Sequence, residues 1–354
     1  MSTPFVTALI DTYNHEAFIE AAIESALEQD FPPSEFEILV VDDGSTDRTP
    51  EIVRRFEPRV RLLRKTNGGQ ASAFNAGIPE ARGEIVAFLD GDDWWAPGKV
   101  KAVAGAFASN PSAGLVGHGI VQVGSDGRQL VLVPREPCRF RIASTAEAKM
   151  FRTRRGFLGT SRMAYRKETL RRIGAVPEAL KFEADEYLFT LAGLFADVMI
   201  LCEPLTFYRL HDRNLFQLAN ANAEGARAKQ QVLAALAKSL GDKFTEYAVS
   251  GSIAKPILEC VQAEADVLRL SLDSGYPWET VSTEWKIQRA LHSDASVWQH
   301  LFSFARLVPA FVMPAAAYYG WRRRLSRSAS YRNLRRRFFR FPVPRHIEQQ
   351  EKPR

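Results

Sequence analysis

Over residues 5–123, short apolar runs alternate with stretches of helical spacing, and few folds accommodate that pattern. Phe5–Ile10, Glu37–Val41, Val60–Leu63, Glu84–Leu89 and Gly114–Val121 read as strands, being short, rich in Val, Ile, Leu and Phe, and bounded by turn residues. Between them Ala17–Glu28, Pro50–Phe56, Gln70–Glu80 and Lys99–Ala108 repeat apolar residues at helical intervals. Thr49-Pro50-Glu51 is a helix start, because proline at the first helical position gives up an amide that has no partner there anyway. Strand and helix in alternation imply parallel strands joined by right-handed crossovers, with helices on both faces. Ligands of such sheets bind at the carboxyl ends of the strands.

After about Gly124 the alternation loosens. Short helices are expected at Lys167–Ile173 and about Ala184 to Leu194, and strands near Val198–Leu201 and Leu205–Leu210. Residues 215–295 are rich in Ala, Leu, Glu and Lys, with helical stretches such as Ala223–Leu240 and Ile253–Leu272.

Net charge is +6, yet the average describes no part of the chain. From Ala295 to Ile347 there are eleven Arg and no Asp or Glu, so an acidic body precedes a basic tail. Cys138, Cys202 and Cys260 are odd in number and lack CxxC spacing, which speaks against a disulfide framework and a zinc site. The N-terminus has no basic segment and turns polar early, unlike a signal peptide, so the expected location is cytoplasmic.

The polar residues gather where the fold argument places the crevice. Strand one ends in Asp11-Thr12-Tyr13-Asn14, strand two in Asp42-Asp43-Gly44-Ser45, and strand four in Asp90-Gly91-Asp92-Asp93. Three carboxylates within four residues repel one another, and a divalent cation is the usual way to hold them ionised together. Either acidic stretch alone reads first as a solvated turn; their joint placement at strand ends reverses that and favours Mg²⁺ or Mn²⁺ with a nucleotide diphosphate. Asn67-Gly68-Gly69 opens the third helix, where bare amides can approach phosphate or ribose. Neither GxGxxG nor GxxxxGK[ST] occurs, which disfavours dinucleotide redox chemistry and P-loop hydrolysis.

Four segments, VTALIDTYNHEAFIEAAIESALEQ, VVDDGSTDRTPEIV, NGGQASAFNAGI and EIVAFLDGDDWWAPGKV, resemble in order and spacing the N-terminal half of the family 2 glycosyltransferases. EADEYLFTLAG and EPLTFYRLHDRN resemble that family's acceptor-side segments, and the likeness spans about residues 4–216. It implies a GT-A fold: α/β, Rossmann-like, a mostly parallel sheet with helices on both faces, here followed by a mainly helical C-terminal region. It also implies an inverting, metal-dependent transfer of sugar from a nucleotide-sugar donor, a UDP-sugar in the first instance, to a hydroxyl of an acceptor. By the same resemblance Asp43 faces the nucleobase, with Thr12 and Tyr13 lining that pocket and Asn67, Gly68, Gly69 and Asn75 on the donor side. Asp90, Asp92 and Asp93 match the acidic motif, Asp92 facing ribose or metal and Asp93 the metal. Asp185 matches the general base, with Glu186 as the alternate one residue on, and His211 matches a histidine near the metal. Asp185 is expected at or near a helix start, where the dipole favours the ionised form. Asp11 departs from the Pro or Thr common in the family, placing an extra carboxylate beside the nucleobase pocket. Phe74 stands where an Arg often precedes the equivalent of Asn75. The QxxRW signature of processive synthases is absent, so one sugar per encounter is expected.

These readings divide the chain into a transferase domain at 1–216 (donor half 1–123, acceptor half 124–216), a helical region at 217–300 and a basic tail at 301–354. Leu301–Trp321 has one charge, Arg306, and two prolines, Pro309 and Pro314. A broken helix lying at a membrane interface suits this better than a span or packing on the body, and the Arg-aromatic stretch after it suits anionic headgroups. The expected protein is therefore peripheral at the inner face of the plasma membrane, acting on a lipid-linked or cell-envelope glycan, with nucleic acid disfavoured as a partner. Two other classes stay open: a non-catalytic protein that keeps the fold to bind nucleotide, lipid or RNA, and a glycoside hydrolase, which also uses two carboxylates.

Overall fold

The computed structural model describes residues 5–211, 214, 223–272, 275–292, 297–328 and 331, so most of the Arg-rich stretch 329–354 lies outside the described residues. The described chain forms two units, one of residues 5–142 and 154–211, the other of residues 143–153 together with those from 214 onward.

In the first unit, β1 (Val6–Thr12), β2 (Phe36–Asp42), β3 (Val60–Arg64) and β4 (Ile85–Asp90) are all parallel, in the order β3-β2-β1-β4. Each crosses over through a helix: α1 (Ile19–Leu27), α2 (Thr49–Arg54) and α3 (Gln70–Glu80). The near-continuous apolar runs of β1, β2 and β4 follow from burial on both faces. On one face Ala8, Ile10, Ile38, Val40, Ala87 and Leu89 share a core with Ile19, Ile23 and Ala26 of α1 and Val103 and Phe107 of α4 (Lys99–Ser109). On the other, Phe74 of α3 meets Phe88 of β4 edge-on at 4.9 Å between ring centroids. Burying a side chain of this size stabilises by about 1.5–3 kcal/mol, so both layers contribute to holding the sheet.

Beyond β4 the sheet is mixed rather than uniformly parallel. The two-residue strand β5 (Trp94–Trp95) pairs antiparallel with β10 (Asp197–Arg209); β6 (Ala113–Val123) is parallel to β10; and β9 (Ala164–Arg166) runs antiparallel between β4 and β6. β7 (Gln129–Leu132) and β8 (Cys138–Phe140) are antiparallel additions to β6 and β10. The sequence pattern divides β10 into two strands because Pro204 interrupts it. The chain instead runs through, absorbing the missing amide in register shifts between Ile200 and Thr206. Two more helices belong to this unit, α6 (Lys167–Ile173) and α7 (Ala184–Phe195), both starting at the residues the sequence indicates.

The second unit is helical: α5 (Thr145–Arg154, all but its last residue), α8 (Ala223–Glu246), α9 (Gly251–Leu272), α10 (Pro277–His292), α11 (Val297–Leu307) and α12 (Ala315–Arg327). Val232, Leu233, Leu236 and Leu240 of α8 recur at helical intervals and are buried, as are Ile257 and Val261 of α9. Arg152 of α5 is buried and reaches Glu264 at 3.2 Å, so its charge is not left unpaired. Pro309 and Pro314 do break the expected tail helix: α11 passes through a 3₁₀ turn at Val308–Phe311 before α12 begins after Pro314. This segment is not a free tail, since Ala310, Ala315 and Tyr318 are fully buried in one cluster with Leu270 of α9. Among the described residues no helix is long and apolar enough to cross a membrane.

Candidate active site

The carboxyl ends of β1 and β4 lie side by side at the centre of the sheet, with Asp11 in register with Asp90. Asp90, Asp92 and Asp93 converge so that their ligand oxygens all lie within 4.8 Å of one another. Gly91 lets the turn close, because a Cβ there would stand 2.6 Å from Thr12 Oγ1 and 2.8 Å from His15 Nδ1.

Each carboxylate is held differently. Ser161 fixes Asp90 twice, its Oγ accepting the Asp90 amide proton at 3.0 Å and bonding Oδ2 at 3.1 Å. Asp92 Oδ2 lies 2.9 Å from His211 Nε2 and 3.9 Å from His15 Nε2. Asp93 is wholly buried; its Oδ1 accepts the Arg209 amide proton at 2.9 Å, while Oδ2 has no hydrogen-bond partner. Asp11 Oδ1 is likewise shielded and without a hydrogen bond.

The electrostatics follow from this crowding. Desolvation, then the charges of Asp92 and Asp185, push the Asp90 carboxyl up to about 8. Desolvation and neighbouring carboxylates also drive Asp11 and Asp93 well above the ordinary range. Asp92 alone goes down: against desolvation, the His211 hydrogen bond and the His15 charge hold it ionised. Buried carboxylate oxygens without hydrogen-bond partners, in a cluster whose charges repel one another, are the donor set that a hard divalent ion takes. The residues therefore fit Mg²⁺ or Mn²⁺. Asp11, expected beside the nucleobase pocket, has Asp90, Asp92 and Asp185 as its charged neighbours.

Asp43 lies under the Asn67-Gly68-Gly69 turn. Its carboxylate accepts protons from Lys65 Nζ at 2.7 Å, Gly68 N at 3.1 Å and Gly69 N at 2.7 Å, so the bare amides of that turn converge on Asp43. Gly69 takes φ +85°, and a Cβ would press within 2.9 Å of the Lys181 backbone. Thr12 is buried with Oγ1 3.2 Å from His15 Nδ1, whereas Tyr13 is 43% exposed. Asn75 gives both ends of its amide to the Val176 backbone at 2.8 Å and thereby pins α3 to the segment before α7.

Asp185 is the second residue of α7, not its cap; that position belongs to Glu183, at φ +61°. Its Oδ1 accepts the Glu186 amide proton at 2.8 Å and its Oδ2 that of Thr160 at 3.2 Å. The expectation that the helix dipole would favour the ionised form is outweighed: desolvation, then the Glu186 charge, raise the Asp185 carboxyl. Glu186, the alternate base, is buried against the guanidinium of Arg155.

Sequence reasoning overlooked His15, Ser161, Lys99 and Arg209. Ser161 is the hub: its carbonyl accepts from Lys99 Nζ at 2.7 Å and from Thr206 Oγ1 at 2.6 Å, while its hydroxyl holds Asp90. Lys99 is fully buried 4.2 Å over the Trp95 ring. Arg209 spans the acidic turn, Nε donating to the Asp92 carbonyl at 3.0 Å and the guanidinium lying over Trp94 and Phe18. A histidine just after the strand-one segment was the one available signal, for His15; the others meet the site only through tertiary contacts.

An acidic cluster at the carboxyl ends of parallel strands, within electrostatic reach of Asp185, stands where α/β sheets of this class take their ligands. Comparison with known proteins gives the family: the Glycosyl transferase family 2 model matches residues 7–174. An uncharacterized glycosyltransferase of Bacillus subtilis, EpsJ, is 31% identical over 241 residues, 66% of this chain and 69% of that one. The chain belongs to the family 2 glycosyltransferases. Its fold is also that of Staphylococcus aureus TarS residues 1–349, with a TM-score of 0.59 at 20% identity, covering 90% of this chain and 91% of that one. TarS, a poly(ribitol-phosphate) β-N-acetylglucosaminyltransferase, is 39% identical over 92 residues, 25% of this chain and 16% of the full relative, and its structure is also known with UDP-GlcNAc. A mannosyltransferase from Pyrobaculum calidifontis, in complex with GDP-Man and Mn²⁺, aligns at a TM-score of 0.54 and 22% identity, covering 94% and 84% of the two chains.

Proposed function

We propose that this chain moves a single sugar, with inversion, from a UDP-sugar to a hydroxyl of a lipid-linked or cell-envelope glycan. The observation that carries the reading is the convergence of Asp90, Asp92 and Asp93 within 4.8 Å at the end of β4, with Asp185 among the charges that act on Asp90. UDP-GlcNAc in the TarS structure supports uridine over guanosine, although the Pyrobaculum relative carries GDP-Man.

Asp92 and Asp93 would hold the metal, with Asp90 and His211 beside them. When bound, Mn²⁺ or Mg²⁺ supplies charge neutralisation to the departing diphosphate. The chain's own residues account for the rest. Asp185, oriented by the Thr160 and Glu186 amides, accepts the proton of the acceptor hydroxyl as the new carbon–oxygen bond forms. Its raised carboxyl makes it a stronger base than an exposed aspartate. Asp43, held in place by Lys65 and the Gly68 and Gly69 amides, offers the nucleobase a carboxylate acceptor, and Thr12 and Tyr13 close that side. Tyr208, whose hydroxyl is pushed above its ordinary range by desolvation and by Asp93 and Asp90, stays neutral beside the cluster. Attachment to the inner face of an anionic membrane through the C-terminal region belongs to the same reading.

A thermal-shift panel tests it: UDP with Mn²⁺ should raise the melting temperature more than UDP or Mn²⁺ alone, and more than GDP with Mn²⁺. No shift from any nucleotide diphosphate would favour the non-catalytic alternative. Sugar released from donor without acceptor or metal dependence would favour hydrolysis.

A further inference from the structure

Among the described residues the large exposed apolar side chains, Tyr13 aside, all fall between residues 276 and 312. α11 is turned against the usual pattern. Trp298, Leu301 and Phe304, spaced by three and so on one face, are 70, 53 and 52% exposed, while Ser303 is buried. Next to the 3₁₀ turn, Trp278, Val281 and Trp285 of α10 and Phe311 line a surface hollow of about 460 Å³. Isolated exposed hydrophobes are ordinary on proteins; a set confined to one stretch of helix and turn marks a contact surface.

Charge selects the occupant. Arg323 and Arg324 of α12 are exposed, and no acidic residue occurs from 295 to 347. The acids of α10 that could repel an anion are countered: Glu284 pairs with Arg322, and Glu279 lies 3.5 Å from Arg269. Two copies of such a surface would set arginines against arginines, the α10 carboxylates being already paired.

We infer that α10, α11 and the turn at Val308–Phe311 form an insertion surface for the headgroup–acyl boundary of an anionic phospholipid bilayer, with the exposed Arg323 and Arg324 of α12 engaging the phosphates. This rests on the membrane reading above and moves the contact from the basic tail to an apolar face. Indole rings suit that boundary, apolar side chains enter it to a shallow depth, and each arginine near an anionic surface adds attraction.

The test uses the full chain and vesicles of phosphatidylcholine with or without phosphatidylglycerol. Expected results are flotation with the anionic vesicles and quenching of tryptophan fluorescence by lipids brominated near the headgroup. Trp298→Ser with Phe304→Ser should weaken vesicle affinity about 10-fold or more at an unchanged melting temperature. Should that variant not fold, quenching of the unaltered protein decides alone. Flotation without quenching, and unaffected by the double substitution, overturns the insertion surface and leaves attachment by the basic tail standing. Absence of flotation overturns both. Self-association seen by light scattering, lost in the double variant, with no vesicle binding, overturns the proposal in favour of a second copy.

Discussion

The α/β unit and the helical unit break the rule of apolar inside and polar outside in opposite directions. In the first, Asp43, Asp92, Asp93, Lys99 and Glu186 are buried, and the ordinary core around them is complete. In the second, tryptophan and phenylalanine face outward while Ser303 and Thr280 are inside. A buried charge is tolerated where a ligand or partner compensates it, and an exposed aromatic where another surface covers it. Each unit therefore announces its contact by the kind of misfit it carries: the first toward a small, charged ligand, the second toward a broad apolar one.

This contrast can be broken by experiment. The largest effect is expected from Asp185→Asn, which should lower turnover by about 10²–10⁴-fold while leaving donor affinity unchanged, measured by sugar transfer and by titration of UDP-sugar. Full activity of that variant would move the base to Glu186 or end the mechanism. Asp93→Asn should abolish the extra thermal stabilisation that Mn²⁺ gives UDP, with little loss of binding by UDP alone. In the helical unit Leu236→Ala, at a fully buried position, should cost about 2–5 kcal/mol in denaturant unfolding and leave UDP affinity intact if the two misfits are separate in function.

A smaller effect concerns pH. The proton that desolvation keeps on Asp90 up to about pH 8 must leave before a cation can take its place. The melting-temperature gain from Mn²⁺ should thus grow from pH 6 to 8 and level off above, and binding should release protons measurable by calorimetry in buffers of different ionisation enthalpy. A pH-independent gain would mean that the cluster is already ionised. Smallest of all, Lys238→Ala removes an exposed pairing with Asp242 one helical turn on, and should change stability by less than about 0.5 kcal/mol.

Much of this was legible from the chain. β1, β2 and β4 carry their burial on both faces in near-continuous apolar runs, and the acidic turns follow directly on strand ends. Asp185 could be placed at the beginning of α7 because the helix pattern starts at Ala184. What escaped were relations that depend on distance in space. β9 is only three residues long and has no pattern of its own; it is a strand because β4 and β6 offer it edges. Ser161 looks like any serine until Asp90, 71 residues away, meets it. The direction of the Asp185 shift was missed for a similar reason: the dipole is visible in sequence, the desolvation that exceeds it is not. The apolar run after Leu301 showed that prolines would break it, but not that Ala310, Ala315 and Tyr318 would be claimed by the helical core.

The bonds around Ser161 also order events in time. Asp90 is held by a residue made 71 positions later, and Asp93 by the amide of Arg209, 116 positions later. A nascent chain that has emerged only through β6 has β1 to β4 but neither clasp on its acidic turn. The site closes only when β10 threads beside β6, late in synthesis and over a long loop whose closure slows folding. A chain stalled before Arg209 would therefore be well on its way to a sheet with Asp93 still unclasped.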